Sequence, residues 1–473
     1  MNKKNIRKIC CIGAGYVGGP TMAVFASHCP EIEIKVVDIN KERIEAWNSL
    51  NVNNLPIFEP GLDDLILNHR NKNLFFTTDL EESISDADMI FISVNTPTKT
   101  KGVGAGQAID LKWVESSARQ IAKYSKYHTI VVEKSTLPVK TAETIKKILI
   151  SSQDFEDQEN KTFSVLSNPE FLSEGNAIYD LQNPDRVLIG GDDQNAIESL
   201  SNIYLNWVPN DKILKTNIWS AELSKLTANA FLAQRISSVN SISSLCEITG
   251  ADIAQVCKAV GMDSRIGDKF LSTGPGFGGS CFQKDILNLV YLCNFYKLEE
   301  VANYWQSVLE INDWQKSRIS KIIVNYLFGN LSGKKITILG FAFKANTNDT
   351  RQSPSISICK DLIEEGANLS IYDPKVENYK IEKDLADQKF NNDNNDYGNW
   401  KICSSIKESA LKSDAIVILT EWKEFYDINW NDLFRLMRKP SWIFDTRKCI
   451  DYQKAKKAGF NIWEIGNSTL INS

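Results

Sequence analysis

The 473-residue sequence predicts an α/β protein: two doubly wound, parallel-sheet domains joined by a helical middle that carries one long helix. Three observations predict it. Short apolar runs alternate with helical segments at both ends of the chain, as βαβ units require. A glycine-rich turn separates the first such run from the helix that follows it. Between the two ends, Ser220–Thr249 contains neither proline nor glycine, so nothing interrupts a helix there.

Lys8–Ile12 reads as the first strand, followed by the glycine turn and a helix through Ala26. Glu33–Val37, Asp88–Val94 and His128–Glu133 read as further strands, with a helix over Leu111–Lys126 between the last two. Val165–Ser167 and Val187–Gly190 extend the sheet. In the middle, Leu223, Leu226, Ala230, Ile236 and Ile242 form no single stripe, which predicts a helix buried on several sides. Gly250 suits the residue that closes it, Asp252 suits the cap of the next helix, and a second long helix over Asn303–Phe328 stops at Gly329. The glycine-rich loop Gly274–Gly279 interrupts this region.

After Gly333 the alternation resumes: a strand at Lys335–Leu339, a helix from Ser355 to Glu365, then strands at Leu369–Tyr372, Ala415–Leu419 and Ile443–Asp445. The two ends echo each other. ICCIGAGYVG parallels ITILGFAFK, IKVVDIN parallels LSIYDPK, and DADMIFISVNTP parallels KSDAIVILTEW. Both domains are therefore read as Rossmann-like, with boundaries at 1–217, 218–329 and 330–473. Asn391–Tyr397 is polar and low in complexity, and is expected to form a surface loop without a catalytic part.

Composition narrows the function classes. Apolar residues make up 42% and charged residues 24%, as in ordinary globular domains. The formal net charge of -5 argues against a nucleic-acid partner, which normally needs a basic face. The apolar stretch after the first basic residues is cut by Gly13, Gly15, Gly18 and Gly19, so it does not read as a secretory leader, and no run is long enough to span a membrane. Ten cysteines without a C-x-x-C pair fit a reducing cytoplasm better than zinc or a disulfide framework, and no metal site is expected.

Gly13-Ala14-Gly15-Tyr16-Val17-Gly18 is a full G-x-G-x-x-G between a strand and a helix, with Asp38 at the end of the next strand. Gly13 permits the tight turn, Gly15 admits a pyrophosphate to the backbone, and Gly18 lets helix and strand pack closely. A carboxylate at Asp38 can accept hydrogen bonds from ribose hydroxyls and repels a 2′-phosphate, so NAD is expected over NADP. Arg43 either lies beside the adenosine or is solvated. Gly340-Phe341-Ala342-Phe343-Lys344 keeps one glycine of the three and cannot cradle a pyrophosphate in the same way.

The stretch from Gly274 to Asp285, GPGFGGSCFQKD, runs a glycine-rich loop into an apparent helix start with Cys281 in its first turn. Helix N-termini stabilise thiolates. Asp285 is one turn further on, on the same face. A thiol in a dehydrogenase suggests that an aldehyde is captured as a thiohemiacetal, oxidised to a thioester and hydrolysed, which also needs proton-transfer groups and an oxyanion stabiliser.

In order, the chain carries GAGYVGGP, FISVNTPTKT, EKSTLPVKTAE, NPEFLSEGNAI, SKLTANAFLAQRISSVN, GFGGSCFQKD, GFAFKANTNDTRQSPS and FDTRK. In these motifs it resembles the UDP-glucose/GDP-mannose dehydrogenase family, from the first strand to near the C-terminus. FISVNTPTKT and FLAQRISSVN resemble the animal and plant wording. The resemblance implies a four-electron, NAD-dependent oxidation of UDP-glucose to UDP-glucuronate with Cys281 as nucleophile. It makes Lys225 and Asn229 the proton-transfer and oxyanion pair, Glu170 an acid/base linked with Thr136 in thioester hydrolysis, and Asp285 part of a catalytic water network. Lys225 and Asn229, spaced i, i+4, also share a helix face on spacing alone.

For the cofactor, the resemblance adds Val94, Asn95, Thr96, Pro97, Ser135, Thr136, Glu174 and Arg351 to the glycine turn, Asp38 and Arg43. For the nucleotide sugar it implies Glu170, Phe171, Leu172, Glu174, Lys225, Asn229, Ser272, Gly276, Phe277, Gly278, Phe343, Lys344 and Arg447. Arg265 resembles an arginine that reaches a neighbouring subunit, so a homodimer or a higher homo-oligomer, up to a hexamer, is expected. Ser272, Thr273 and Pro275 depart from the Lys, Ala or Val common in relatives, which leaves the movement of that loop open. Little chain follows Trp463–Gly466, so no long C-terminal tail is expected. Two rivals remain: a dehydrogenase of GDP-mannose or a UDP-N-acetylhexosamine, and an NAD-responsive regulator. A regulator should have lost one of Cys281, Lys225, Asn229 or Asp285, and none is lost.

Overall fold

The computed structural model describes residues 6–151, 161–386 and 398–467; Asn391–Tyr397 lies outside them. The chain divides into two compact units, Met1–Ala228 with Leu287–Tyr296, and Asn229–Ile286 with Lys297–Ser473.

The first unit is built on eight strands: β1 (Lys8–Ile12), β2 (Glu33–Val37), β3 (Leu74–Thr77), β4 (Met89–Ile92), β5 (Thr129–Glu133), β6 (Phe163–Ser167), β7 (Val187–Gly191) and β8 (Ile213–Thr216). Their spatial order is β3-β2-β1-β4-β5-β6-β7-β8. The order reverses direction between β1 and β4, which places the ligand crevice of such a sheet at their carboxyl ends. Strand periodicity gives the sheet two buried faces. Ile9 and Cys11 of β1, with Met89 and Phe91 of β4, pack into one core, and Cys10, Ile12, Ile90 and Ile92 pack into the other. One pairing departs from the expected parallel sheet: β7 runs antiparallel to β6. There the Asn168 side chain donates to the carbonyl of Leu188 at 2.8 Å, tying the end of β6 to β7.

The second unit contains a six-stranded, wholly parallel sheet of β9 (Lys335–Leu339), β10 (Asn368–Tyr372), β11 (Asn399–Ile402), β12 (Ala415–Ile418), β13 (Trp442–Asp445) and β14 (Asn461–Glu464). Its order, β11-β10-β9-β12-β13-β14, repeats that of the first six strands of the other sheet. The expected elements lie within a few residues of those found. The four strands that the sequence reading lacks, β3, β8, β11 and β14, are the four sheet edges. An edge strand is covered on fewer sides and need not be a continuous apolar run; β11, NWKI, alternates between exposed and half-buried residues.

The long helix spans Ile218–Thr249 and ends at Gly250, whose φ of 90° only glycine adopts freely. Asp252 caps the helix Ile253–Gly261 by accepting the Ala254 N–H at 2.7 Å. The second long helix, Glu299–Tyr326, is followed by Gly329 at φ 72°. The expectation that Ser220–Thr249 is buried on several sides needs correction. Leu223, Phe231, Ile242, Leu245 and Ile248 are exposed, whereas Glu222, Lys225, Asn229 and Asn240 are buried. Polar groups share the covered face with Leu226, Ala230 and Ala233, and for that reason no apolar stripe is legible. Among the described residues no helix is long and apolar enough to cross a membrane.

Glu222, in the first turns of that helix, accepts the N–H groups of Lys140 (2.7 Å) and Ala142 (2.8 Å) and so caps the helix Thr141–Ser151. It also meets Glu133, the last residue of β5, which is fully buried. Burial raises the pKa of both carboxyls. The backbone donors oppose this at Glu222, while the Glu222 charge adds to it at Glu133. The shared proton therefore sits on Glu133, which donates to an anionic Glu222. An acid held more tightly protonated in the folded chain contributes stability that is full below its unfolded pKa and is lost as pH rises towards its folded one. Glu133→Gln keeps a donor and removes the titration. Thermal melts should give similar Tm values for variant and wild type near pH 5, and a variant more stable by a few degrees near pH 8. A wild-type Tm that is flat over this range would remove the argument.

Candidate active site

The turn after β1 is shaped by three glycines with different constraints. Gly13 has φ 109°, and a Cβ there would lie 2.4 Å from the carbonyl oxygen of Ser93, at the end of β4. A Cβ on Gly18 would lie 2.0 Å from the carbonyl oxygen of Gly13, so helix and strand touch at that point. At Gly15 a Cβ would meet nothing within 4 Å. The fold requires the first and third glycines; the second leaves open space beside the backbone, which fits the close approach of a pyrophosphate. The helix Gly18–His28 begins directly behind, with Ala14, Tyr16 and Val17 completing the turn.

Asp38, just past β2 and buried, accepts the Ala14 N–H at 3.0 Å and the Asn40 N–H at 2.9 Å, and pairs with the Arg43 guanidinium at 3.0 Å. Arg43 is thus neither purely solvated nor placed independently: it belongs to the Asp38 carboxylate. Ser135 donates to the carbonyl of Val94 at 2.8 Å, and Thr96 to that of Thr136 at 3.3 Å. These bonds join the loop Val94, Asn95, Thr96 and Pro97 after β4 to the turn Ser135–Thr136 after β5.

Further along the first unit, one oxygen of Glu170 accepts the N–H groups of Phe171 (2.8 Å) and Leu172 (3.1 Å), and the other pairs with Lys134 at 2.8 Å. The loop carrying Glu174 is held by Glu59, whose two oxygens accept from Gly175 (2.6 Å) and Ala177 (2.9 Å). The ring of Phe171 has Arg186 at 3.9 Å and the Lys225 ammonium at 5.2 Å. Lys134 and Glu59 are absent from the sequence-derived site. Lys134 stands inside the EKST motif, where only Ser135 and Thr136 were singled out; no sequence signal marks Glu59.

In the second unit, the helix Phe282–Phe295 begins one residue after Cys281, so the cysteine precedes the first turn instead of lying within it. Its carbonyl accepts the Asp285 N–H at 2.8 Å, and Ser280 Oγ lies 3.4 Å from its sulfur. Asp285 is fully buried and accepts from the Asn229 amide at 2.6 Å. The Asn229 side chain therefore orients a carboxylate one helical turn from the thiol.

The glycine loop is anchored by asparagines. Asn312 accepts the Phe277 N–H at 2.8 Å and occupies the space where a Cβ on Gly276 would stand. Asn240 accepts from Thr273 and Gly274. A Cβ on Gly278 would lie 2.5 Å from the Gln352 carbonyl oxygen, and the Gly279 N–H donates to the carbonyl of Arg351 at 2.8 Å. The structure thus brings Gly276, Phe277 and Gly278 together with Phe343 and the segment 351–352. Arg447 donates to the carbonyls of Leu419 (2.9 Å) and Phe343 (3.2 Å) and faces Gly274. The Lys344 ammonium lies 5.7 Å from the Phe343 ring, Arg351 is clamped by Asp349, and Ser272 is exposed. Arg265 is set apart: its side chain is 87% exposed and pairs with Asp263 at 2.6 Å. Among the described residues no cluster of three or more His, Cys, Asp or Glu could hold a metal ion.

Residues 7–208 match the family model for the UDP-glucose/GDP-mannose dehydrogenase family, NAD binding domain; 219–314 match its central domain and 337–452 its UDP binding domain. The chain belongs to the UDP-glucose/GDP-mannose dehydrogenase family. It is an NAD-dependent oxidoreductase, and the glycine turn lies in the family's NAD binding domain. The chain is 54% identical to UDP-glucose 6-dehydrogenase 2 of Arabidopsis thaliana and 55% identical to UDP-glucose 6-dehydrogenase 1 of Glycine max, with 97% of each chain covered in both cases. A UDP-glucose dehydrogenase from Pyrobaculum islandicum has a similar structure, with a TM-score of 0.82 and 28% identity, covering 97% of this chain and 99% of that one. A UDP-D-ManNAc dehydrogenase from Pyrococcus horikoshii reaches 0.80 at 25% identity, covering 98% and 99%.

The Asp38–Arg43 pair sharpens the cofactor prediction. Asp38→Gly removes the charge that repels a 2′-phosphate and also releases Arg43 to receive one. The ratio of kcat/KM for NAD over NADP should fall by roughly ten- to a hundredfold, the worth of one charge-assisted hydrogen bond. An unchanged ratio would mean that other groups hold the ribose.

Proposed function

We propose that this chain oxidises UDP-glucose to UDP-glucuronate at Cys281, consuming two NAD and one water and releasing two NADH and three protons. The observation that carries this reading is the 54–55% identity to UDP-glucose 6-dehydrogenases over 97% of the chain. The likeness to the UDP-D-ManNAc dehydrogenase stands at 25%, so UDP-glucose is favoured over an N-acetylhexosamine. The division into 1–217 for NAD, 218–329 as the helical middle and 330–473 for the UDP-sugar belongs to the same reading.

NAD, when bound, supplies the acceptor for both oxidations. The glycine turn, Asp38 with Arg43, Val94–Pro97, Ser135, Thr136, Glu174 and Arg351 hold it. Phe171, Leu172, Ser272, Gly276–Gly278, Phe343, Lys344 and Arg447 bind and orient the nucleotide sugar, with Glu170, Glu174, Lys225 and Asn229 contributing. Lys225 and Asn229 assist the transfer of the 6-hydroxyl proton and stabilise the oxyanions. The Cys281 sulfur adds to the aldehyde carbon to give a thiohemiacetal, whose oxidation leaves a thioester. Asp285, held by Asn229, serves the water network, and Glu170 with Thr136 serves the hydrolysis. The buried, hydrogen-bonded state of Asn229 and Asp285 supports this assignment, because a side chain fixed before substrate arrives needs little reorganisation during the reaction.

Purified protein should release two NADH per UDP-glucuronate, and Cys281→Ser should lower kcat by roughly several orders of magnitude while the fold survives. A stoichiometry of one, or a variant turning over at the wild-type rate, would sink the four-electron reading.

The same reading places the protein in the cytoplasm as a homo-oligomer, a dimer or a higher assembly up to a hexamer. The exposed apolar residues of the Ile218–Thr249 helix support association, since monomers rarely leave such a row open. Arg265 then serves a neighbouring subunit. Mixing Arg265→Ala with Cys281→Ser, each nearly inactive alone, should restore activity once subunits exchange. No recovery despite verified exchange would place Arg265 outside the partner's site.

A further inference from the structure

We propose that Lys134 is a positioning residue for Glu170, fixing the direction of that carboxylate for the step in which water cleaves the thioester. The inference rests on the reading of Glu170 given above and adds a residue to it. In that step the water oxygen bonds to the thioester carbon, the carbon–sulfur bond breaks, and the electron pair leaves with the Cys281 sulfur. One water proton returns to the sulfur, and the other passes through the base to solvent. The base must point one way.

The geometry supplies that condition. Lys134 follows directly on β5 and its side chain is 3% exposed. Its ammonium pairs with one oxygen of Glu170 at 2.8 Å and donates to Asn168 Oδ1 at 3.1 Å and to the Tyr204 hydroxyl at 3.2 Å. The Tyr204 hydroxyl donates to the same Asn168 oxygen at 2.7 Å, which leaves that oxygen no freedom to turn away. The other oxygen of Glu170 receives two backbone N–H groups. Burial pushes the Lys134 ammonium towards neutrality, but the Glu170 charge and the Tyr204 hydroxyl outweigh it, and the net shift is upward. The cation therefore persists at neutral pH despite its burial. Two residues later the same turn carries Thr136, whose carbonyl is held by Thr96. One short segment thus fixes the ammonium and the threonine that are read as serving hydrolysis.

A purely structural role makes a different prediction. Asn168 and Tyr204 would still need the ammonium if Glu170 were neutral, and loss of Lys134 would then add to loss of the Glu170 charge. The experiment compares Lys134→Met, Glu170→Gln and the double variant by steady-state kinetics, and by intact mass of enzyme quenched during turnover. The expected result is that kcat falls by about 100-fold in each single variant, as removal of a proton-transfer group does. KM for UDP-glucose should stay within about threefold, Cys281 should accumulate the sugar adduct, and the double variant should be no slower than Glu170→Gln. Should Lys134→Met fail to fold, the double variant, which buries no lone charge, carries the comparison with Glu170→Gln by itself. An impaired Glu170→Gln beside an unimpaired Lys134→Met overturns the proposal alone, as does a further tenfold loss in the double variant. A Glu170→Gln enzyme at the wild-type rate overturns the hydrolytic role of Glu170, and the proposal with it.

Discussion

The interaction on which both sheets depend is a carboxylate placed after the second strand that accepts backbone N–H groups from the turn after the first. Asp38 takes the Ala14 N–H and closes the turn at Gly13–Gly18. Asp373, following β10, takes the N–H groups of Phe341 at 2.7 Å and Ala342 at 3.0 Å and closes the corresponding turn. In each case a positive-φ glycine lies against a residue just beyond the neighbouring crossed-over strand: Gly13 against Ser93, Gly340 against Thr420. A buried carboxylate is costly unless donors surround it, and a tight turn leaves donors unpaired; each feature resolves the difficulty of the other. The two sheets share this device, and the residues after the first glycine set them apart. One turn continues to Gly15, beside open space; the other continues with Phe341 and Ala342, both fully buried.

That contrast explains how one architecture serves two ligands. Backbone left open beside Gly15 can be approached by a phosphate. Backbone covered by Phe341 cannot, and in the proposed reading the side chains beyond it, Phe343, Lys344 and Arg447, take that part in the second unit. The glycine loop at 274–279 depends on close packing as much as the first turn does. Its glycines give way to Asn312, to Phe343 and to the Gln352 carbonyl, so the loop keeps its path only while those neighbours stay where they are.

Legibility in the sequence followed the same physics. Central strands were read nearly to the residue, because burial on both faces makes them continuous apolar runs. The edges β8 and β11 are not, because partial cover removes that signal; β3 and β14 are better covered but span only four residues each. The glycine turn, Asp38 and Cys281 could be singled out from spacing and local context. Glu170, Thr136 and Arg265 came only from the family resemblance, since a lone carboxylate, threonine or arginine has no signature of its own. The long helix is legible through its lack of breakers, but its burial is not. Periodicity counts apolar residues, and this helix buries Glu222, Lys225, Asn229 and Asn240 beside Leu226, Ala230 and Ala233.

The end of β5 shows most clearly what a pattern of residue types cannot convey. Glu133 and Lys134 are adjacent, oppositely charged and both buried, and on sequence they look like a pair. Strand geometry sends them to opposite faces, as it does their neighbours: Val131 joins one core, and Ile130 and Val132 the other. Neither can neutralise its neighbour, so each meets the cost of burial separately. Glu133 does so by keeping its proton beside Glu222; Lys134 keeps its charge and acquires Glu170 as a counter-ion. The first solution ties the start of the long helix, and so Lys225 one turn on, to the segment 140–142. The second ties Glu170 to the strand that leads into Ser135 and Thr136. A single strand terminus thus orients groups on both faces of the sheet, and does so because its two charges cannot reach each other.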